Sequence, residues 1–536
     1  MIKNVVARVR GEIQNRILSP ERKKFNKFIK DFIEENKSTE PCNKKIMIDA
    51  TWDNPNYWYR IGIISRALGV SSDLVAALIG KDRRVQQKSM IETLGYAHTF
   101  DLMDTFDSNK EEHLRVSKEL FSSVTKPDDV LGLKLPFDFP ASFLYDDILK
   151  KQRSAYINVE ENSTLETVAH FFNVISSAEK WLDEYKPEIL IMSHCIGWRA
   201  IFVWVAVKKG ITTIIPYGEF GLSRFWKIDD ISDFFSFQDR PLYERDFLQL
   251  SQNEKKILFD VGEEYLESRF SGKTNDIGSM YTYQKRKGEC NSEIIKKEYG
   301  WNENKPIISV YASNWFDYPH FMGMKNFRDF YDWIKVTYET ALENKDVYWL
   351  FKAHPCDEHY KGKTLSDFFD FDTPEHISLV NESWNGEDLL RSVDGIITYH
   401  GTIGIEATAQ EKPVMIADQG WYHDWGIAKY SKSREEYIEN LSKRWWEELD
   451  LKENKELATI FAGWYWGRPD WQKNLIMDDD STQWKIYNTL PKIVERCQKE
   501  IQKEVSLIRS WVESKATHFH TFKMCENICD HERQSE

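Results

Sequence analysis

The sequence predicts an α/β protein with two domains, each built on a parallel sheet. Short apolar runs alternate with segments of helical periodicity in both halves of the chain, which is typical of parallel sheets covered by helices. At 536 residues the chain is also too long for one ordinary hydrophobic core. We therefore divide it into a helical extension (1–44), a first α/β domain (45–290), a second α/β domain (300–480) and a C-terminal helix and tail (481–536).

The N-terminal extension carries an amphipathic helical pattern. Its apolar residues recur at helical spacing: Phe25, Phe28, Ile29, Phe32 and Ile33. Its basic residues include Arg8, Arg10, Arg16, Arg22, Lys23 and Lys24. Two interpretations stay open. The helix packs on the first domain with a solvated outer face, or it meets a partner of an assembly complex or the face of a membrane.

The first domain carries polar side chains directly after its predicted strands. Strands are predicted at 45–50, 74–79, 188–192 and 212–215, with helices at 57–68, 165–185 and 198–208. Asp53, His194 and Glu219 follow three of these strands, at the sheet edge where ligands bind in open α/β folds. Each is a candidate general base. Ordinary alternatives are a turn for Asp53 and an exposed loop acid for Glu219.

The second domain shows the same arrangement with different chemistry. Strands are predicted at 305–312, 347–351, 392–399 and 412–417, with the ends at 351 and 399 expected to be adjacent. The residues after these two ends are Lys352, His354 and Pro355, then His400, Gly401, Thr402, Gly404 and Glu406. A small-residue turn entering a helix presents free N–H groups, which suit a phosphate or diphosphate. Glu406 is placed to accept hydrogen bonds from ribose or sugar hydroxyls. A plain strand-ending turn and helix cap is the alternative.

These motifs resemble the capsule polysaccharide synthesis family. The similar segments are Lys-x-His-Pro at 352–355, Gly-Thr-x-Gly-x-Glu-Ala at 401–407 and Lys-Pro-Val at 412–414. The resemblance implies the GT-B architecture, in which two Rossmann-like domains face a cleft and the C-terminal helix crosses back to the first domain. It also implies a nucleotide-sugar glycosyltransferase, because the bacterial capsule Kdo transferases belong to this family. Glu411 departs from the pattern, since a small residue usually precedes Lys-Pro there.

The resemblance and the strand ends together give an expected mechanism. Lys352, His354, Thr402 and the turn would hold the departing phosphate, and Glu406 would hold the nucleoside. The first domain would bind a saccharide or lipid-linked acceptor, with Glu219, His194 or Asp53 as the base. The donor is a substrate, and we expect no separate cofactor and no metal. The resemblance favours a CMP-linked ulosonic acid such as Kdo.

Three other functions remain open from the sequence. A sugar-nucleotide epimerase could use the same fold and a similar phosphate-binding site, and a polyol-phosphate transferase of the teichoic-acid type shares the His-Pro motif. A non-catalytic scaffold of a polysaccharide assembly complex is the third. Of the 20 tryptophans, Trp421 and Trp425, together with Tyr422, are candidates for stacking on a sugar, although aromatic rings also fill ordinary cores.

Composition limits the partners and the compartment. The formal net charge of −14 argues against non-specific nucleic-acid binding. No apolar run reaches the length of a membrane span, and the N-terminus lacks a secretory signal, so we expect a cytoplasmic protein, with the inner face of the membrane as an alternative site. Seven scattered cysteines fit a reducing compartment. The His and Cys residues at 518–531 match no standard zinc motif.

Overall fold

The computed structural model describes residues 18–35, 42–81, 83–102, 110–217, 224–235, 250–273, 282–283, 288–355, 357, 362–466 and 483–520. These residues form two α/β units, each around its own sheet, which confirms the predicted fold class. No helix in the described part of the chain combines the length and the apolar character that crossing a membrane requires.

The first sheet has seven strands with a parallel centre. Its strands are β1 (Ile46–Asp49), β2 (Val75–Ile79), β3 (His98–Asp101), β4 (Ile189–Ile191), β5 (Thr212–Tyr217), β6 (Arg224–Ile228) and β13 (His518–His520). Their order is β13-β6-β5-β4-β1-β2-β3. Strands β1 to β5 are parallel, whereas β6 and β13 are antiparallel additions at one edge. The central strands are continuous apolar runs because helices cover both faces of the sheet.

Ten helices of the described residues surround this sheet. They are α1 (Pro20–Glu34), α2 (Pro55–Leu68), α3 (Arg84–Leu94), α4 (Lys110–Leu120), α5 (Pro127–Leu131), α6 (Ala141–Gln152), α7 (Asn162–Tyr185), α8 (Trp198–Lys208), α16 (Gln483–Arg496) and α17 (Gln498–Glu513). The apolar side of α1 packs against α2, with Phe25 and Ile29 fully buried. Ordinary packing therefore accounts for this side of the extension, while Arg8, Arg10 and Arg16 lie outside the described residues.

The second sheet is entirely parallel. Its strands are β7 (Ile307–Tyr311), β8 (Tyr348–Lys352), β9 (Ile377–Leu379), β10 (Gly395–Thr398), β11 (Val414–Ile416) and β12 (Lys429–Tyr430), in the order β12-β11-β10-β7-β8-β9. The helices packed around it are α9 (Gln252–Phe270), α10 (Ser292–Glu298), α11 (Phe330–Glu343), α12 (Gly386–Ser392), α13 (Ile403–Ala409), α14 (Arg434–Leu441) and α15 (Leu451–Trp466). All loops that leave the carboxyl ends of these strands share one edge.

Helices α9 and α15 cross with their backbones in direct contact. A Cβ atom built on Gly262 would lie 1.9 Å from the carbonyl oxygen of Thr459, and one built on Gly463 would lie 1.8 Å from that of Leu258. Only glycine fits at both positions, because any side chain would force the helices apart. Helix α9 precedes the predicted domain boundary at 290, yet its apolar residues belong to the core of the second domain.

The C-terminal helices return to the first domain. Residues Tyr487, Ile493, Ile501 and Trp511 of α16 and α17 are buried in the same core as α1 and α2. Strand β13 then pairs with β6 and extends the first sheet. The end of the described chain is thus part of the first domain, whereas α15, the described helix before it, packs in the second.

The chain leaves α13 in a tight turn at Glu411, although a small residue usually stands at this place in the sequence pattern. The residue adopts φ +57°, in the left-handed region that favours glycine. Its carboxylate pairs with Lys455 at 2.8 Å, but both side chains are well exposed, so this pair contributes little. The backbone is therefore modestly strained at Glu411, where the chain turns from α13 toward β11.

We expect Gly463→Ala to lower the free energy of unfolding by about 3 kcal/mol, because the added methyl group meets the backbone of the opposing helix. Thermal denaturation followed by circular dichroism measures this effect. Gly132→Ala is the matched control, since a Cβ atom there lies at an ordinary 3.6 Å from its nearest neighbour. Equal melting temperatures for the two variants would contradict the close helix crossing.

Candidate active site

The predicted donor residues lie at the carboxyl edge of the second sheet. Lys352 ends β8, and His354 and Pro355 follow it, while Gly401 and Thr402 follow β10. Strand β7 lies between β8 and β10, so the prediction that these two ends are adjacent is wrong by one strand. Two strand spacings of about 4.8 Å place the ends roughly 10 Å apart. Both loops therefore border the same edge, with the loop after β7 between them.

The turn after β10 is supported from beneath by residues that follow β11. The Trp421 indole N–H donates to the carbonyl of His400 at 2.9 Å, and the Tyr422 hydroxyl donates to the carbonyl of Gly401 at 2.7 Å. A Cβ atom on Gly404 would lie 2.1 Å from that hydroxyl oxygen, so glycine is required for this close approach. These contacts fix the backbone of the turn.

The aromatic residues after β11 fill the core, which is one of the two alternatives that the sequence left open, and they are not placed to stack on a sugar. Trp421, Tyr422 and Trp425 are 9%, 1% and 7% exposed, which leaves no ring face for a ligand. Trp421 packs edge-on against Tyr465, and Trp425 packs edge-on against Phe461, both on α15. These rings are anchored on α15, and Trp421 and Tyr422 hold the turn after β10 in place through their hydrogen bonds.

The turn leaves three backbone N–H groups at the sheet edge. Backbone hydrogen bonding in this segment begins at Gly404. The N–H groups of Gly404, Ile405 and Glu406 donate to the carbonyls of Gly401 and Thr402 at 3.0–3.2 Å. Within the described residues, the N–H groups of 401, 402 and 403 donate to no main-chain carbonyl, and the half-buried Thr402 side chain caps none of them. Successive free N–H groups of this kind suit an anion. Because α13 has seven residues, these donors matter more than a helix dipole.

The loop after β8 is held by a buried carboxyl group that the sequence analysis missed. The side-chain amide of Asn314, after β7, donates to Asp357 Oδ1 at 3.2 Å, and the Asp357 N–H donates to the carbonyl of His354 at 3.0 Å. Burial raises the pKa of Asp357 to about 6. Lys352 and His354 are half-buried on this loop. No sequence motif marks Asp357, because its partner comes from the neighbouring strand.

Glu406 does not occupy the predicted ribose position. Its side chain is buried, and Oε1 accepts hydrogen bonds from Arg269 Nε at 2.9 Å and Nη2 at 2.5 Å. The Tyr283 hydroxyl donates to the other oxygen. Both carboxylate oxygens are thus bonded, one to Arg269 on α9 and the other to Tyr283. Arg269 is the counter-ion that the buried carboxylate requires. The expected contact with a nucleoside is therefore wrong, and Glu406 links α13 to α9.

Asp53 is also engaged in a buried ion pair, so its prediction as a base is wrong. Arg22 of α1 donates to both carboxylate oxygens, at 2.6 and 2.5 Å, and the Trp58 indole N–H donates at 3.1 Å. Burial opposes the charge on Arg22, but the bonds to Asp53 raise the pKa of Arg22 overall. Both oxygens of this buried carboxylate are committed to Arg22, so Asp53 joins α1 to the loop after β1. Glu219 lies outside the described residues, and its role remains a prediction.

His194 lies at the edge of the first sheet within a charged network. The fully buried Asp49, at the end of β1, accepts hydrogen bonds from Arg199 Nε at 2.6 Å and Ser193 Oγ at 2.5 Å. His194 Nδ1 lies 3.0 Å from Ser193 Oγ, and the imidazole lies beside the Trp52 ring at 4.4 Å. Burial and the nearby Arg199 lower the pKa of His194 to about 4. The imidazole is neutral at pH 7, and so low a pKa makes it a weak base.

The two domains meet through α6 and the loop after β7. The buried Asp146 accepts hydrogen bonds from the N–H groups of His320 and Phe321 at 3.0 and 3.3 Å. The Tyr145 hydroxyl donates to Asp329 at 2.6 Å. The loop after β7, at the donor edge, is therefore bound to the first domain. No sequence motif marks the helix 141–152, so this contact between the domains was not predicted.

Among the residues with described positions, no group of three or more His, Cys, Asp or Glu side chains could hold an ion. The cysteines at 525 and 529 and the histidine at 531 lie outside those positions.

We expect Glu406→Gln to lower the free energy of unfolding by about 3–5 kcal/mol, because it leaves the buried Arg269 without its counter-ion. Glu411→Gln removes an exposed pair and should change it by less than about 1 kcal/mol. Chemical denaturation measures both values. If Glu406 instead contacted the nucleoside, Glu406→Gln would weaken nucleotide binding and leave the stability unchanged.

Several solved structures resemble this chain at low identity. The β-Kdo 2,4-transferase KpsC of Thermosulfurimonas dismutans is 17% identical, with 52% of this chain and 79% of that chain covered and a TM-score of 0.35. A UDP-GlcNAc 2-epimerase of Neisseria meningitidis bound to UDP-GlcNAc is 12% identical, with coverages of 78% and 96% and a TM-score of 0.23. A glycosyltransferase of Rickettsia africae is 12% identical, with coverages of 84% and 98% and a TM-score of 0.24.

The family comparison is more specific for one segment. No curated protein sequence matches the chain. Residues 325–446 match the family described as capsule polysaccharide biosynthesis protein. This range contains β8, β10 and β11 and the loops that carry the sequence motifs. The resemblance inferred from those motifs is thereby confirmed: the second domain carries the segment that is shared by the capsule polysaccharide biosynthesis proteins.

Proposed function

We propose that the chain is a glycosyltransferase that moves a sugar from a nucleotide-sugar donor to an acceptor in the synthesis of a surface polysaccharide. The observation that carries this proposal is the shared edge of β8 and β10. Lys352 and His354 border it on one side, and the free N–H groups of 401–403 border it on the other. Cationic and N–H donors that converge at a strand edge are the groups that bind a phosphate or diphosphate.

The same donors explain how transfer would be accelerated. As the bond between the anomeric carbon and the phosphate oxygen breaks, negative charge grows on the phosphate. Fixed donors stabilise that charge without having to reorganise, and supports such as Tyr422 and Asp357 keep the two loops in place. We propose that no metal is required. Unchanged turnover in excess EDTA is the expected result, and loss of turnover would contradict it.

The identity of the substrates rests on the family resemblance. We propose a CMP-linked ulosonic acid such as Kdo as the donor, and a saccharide or lipid-linked saccharide as the acceptor. The acceptor would lie against the first domain, whose sheet edge holds His194, Trp52 and the Asp49–Arg199 pair. An enzyme with these substrates would work in the cytoplasm or at the inner face of the membrane.

A nucleotide-sugar panel separates this function from its alternatives. Incubation with CMP-, UDP- and GDP-sugars, followed by mass spectrometry, should show release of one nucleotide together with sugar transfer when an acceptor is present. An isomerised sugar without an acceptor would indicate an epimerase. A product that retains the phosphate would indicate a polyol-phosphate transferase. Absence of any thermal shift at ligand concentrations far above the expected Kd would favour a scaffold.

We expect His354→Ala to lower kcat by about 100-fold or more, because the imidazole would meet charge that develops in the transition state. Lys352→Ala should reduce kcat/KM for the donor by a similar factor. The controls are His98→Ala and Lys345→Ala, which should keep wild-type kinetics. Both residues are exposed and lie away from the donor edge, His98 at the start of β3 and Lys345 before the start of β8. Wild-type kinetics for both His354→Ala and Lys352→Ala would exclude the proposed phosphate site.

We expect Thr402→Ala to raise the KM for the donor several-fold while kcat changes little, because its hydroxyl adds one neutral hydrogen bond to the bound phosphate. Isothermal titration with the nucleotide product measures the same loss directly. A fall in kcat with an unchanged nucleotide affinity would place Thr402 away from the phosphate.

A further inference from the structure

A carboxyl group and a hydroxyl group from different domains converge over Gly197, at the start of α8. A Cβ atom built on Gly197 would lie 3.4 Å from Asp147 Oδ1 and 3.4 Å from the Tyr318 hydroxyl oxygen. Asp147 belongs to α6, whereas Tyr318 belongs to the loop after β7. The point beside the Gly197 Cα atom is thus within hydrogen-bonding range of two polar groups from different domains, and φ +58° at Gly197 favours glycine, which keeps a side chain out of it.

Both groups are available to a ligand. No hydrogen bond joins either side chain to another residue within the described parts of the chain, and both side chains are half-buried. The adjacent Asp146, in contrast, is committed to His320 and Phe321. A half-buried polar group gains free energy when a substrate hydroxyl supplies the missing hydrogen bond.

The electrostatic surroundings favour proton exchange at Asp147. Burial, together with the neighbouring Asp146 carboxylate, raises the pKa of Asp147 well above its ordinary value. Burial and Asp147 also raise the pKa of Tyr318, so the phenol stays protonated. Because its pKa is raised, the Asp147 carboxylate is a stronger proton acceptor than an ordinary carboxylate, whereas the pKa of His194 is lowered to about 4.

The loop that carries Tyr318 is held rigidly beside Asp147. Lys150 pairs with Asp317 at 3.0 Å, and His320 Nδ1 lies 2.7 Å from Asp146 Oδ1. Residues on both sides of Tyr318 are therefore bound to α6. Tyr318 itself adopts φ +54°. A non-glycine residue in the left-handed region is strained, and such strain persists only where the surrounding contacts impose it.

We propose that Asp147 is the general base of the transfer and that Tyr318 positions the acceptor beside it; this inference rests on the proposed glycosyltransferase function. The acceptor hydroxyl gives its proton to an Asp147 carboxylate oxygen. Its oxygen forms the new bond to the anomeric carbon, while the bond from that carbon to the phosphate oxygen breaks and leaves its electron pair on the phosphate. The proton then passes from Asp147 to solvent.

The test compares substitutions at Asp147 under the conditions that give transfer by the wild type. Asp147→Asn should lower kcat by 100-fold or more, with the donor KM and the melting temperature close to wild type. Formate or azide should restore part of the activity of Asp147→Ala, because a small anion can occupy the vacated position. Asp183→Asn, which removes an exposed pair with Lys209, is the matched control and should keep wild-type kinetics.

Tyr318→Phe tests the positioning role separately. It should raise the KM for the acceptor several-fold and leave nucleotide binding unchanged, because only the hydroxyl beside Gly197 is lost. An unchanged acceptor KM would remove Tyr318 from the site.

The outcomes distinguish this inference from the proposed function. Absence of transfer by the wild type with every donor would overturn the proposed function itself. Transfer by Asp147→Asn within about threefold of wild type would overturn the base assignment alone. A covalent sugar adduct on Asp147, seen by intact-protein mass spectrometry, would also overturn it, because the carboxylate would then attack carbon. If Asp147→Asn melts early and Asp147→Ala is not rescued, the residue is structural.

Discussion

The buried carboxylate of Asp146 is the interaction on which the placement of the two domains depends. It accepts the N–H groups of His320 and Phe321 and contacts the His320 imidazole, so one charge anchors three groups of the second domain. Burial raises the pKa of Asp146, although His320 and the N–H donors oppose this change. Removing these partners would leave a buried group unsatisfied at a cost of several kcal/mol. The loop after β7 is therefore bound to α6, and Tyr318 on that loop lies beside Gly197 at the start of α8.

On the donor side, backbone N–H groups form the candidate phosphate site, and buried side chains beneath the turn keep those groups in place. The turn at 401–403 offers N–H groups, and the side chains that matter most to its shape, Trp421 and Tyr422, are buried beneath it. Asp357 plays the same part for the loop after β8. Residues that hold a loop do not need to reach the ligand, which is why conspicuous aromatic residues near a site can be structural.

Two carboxylates, Asp53 and Glu406, show where sequence reasoning about the site failed. Both follow strands at the predicted edge, and both are buried against arginines, Arg22 and Arg269, which lie 31 and 137 positions away in sequence. A charge in the interior must be paired, so the presence of a partner decides whether a carboxylate is structural or reactive. The sequence shows the carboxylate but not the partner, and it gave no reason to single out Asp147.

The sequence by itself determined the parallel strands at the centre of both sheets, the edge at which their loops leave and the chemistry of the donor motifs. These features follow from local rules, because strand and helix periodicity and turn composition are set within a few residues. Only the tertiary structure decided the insertion of β7 between the two donor strands, the glycine crossing of α9 and α15, and the convergence of Asp147 with Tyr318 over Gly197. Those features depend on contacts between distant segments, which are fixed by packing and by the pairing of buried charges.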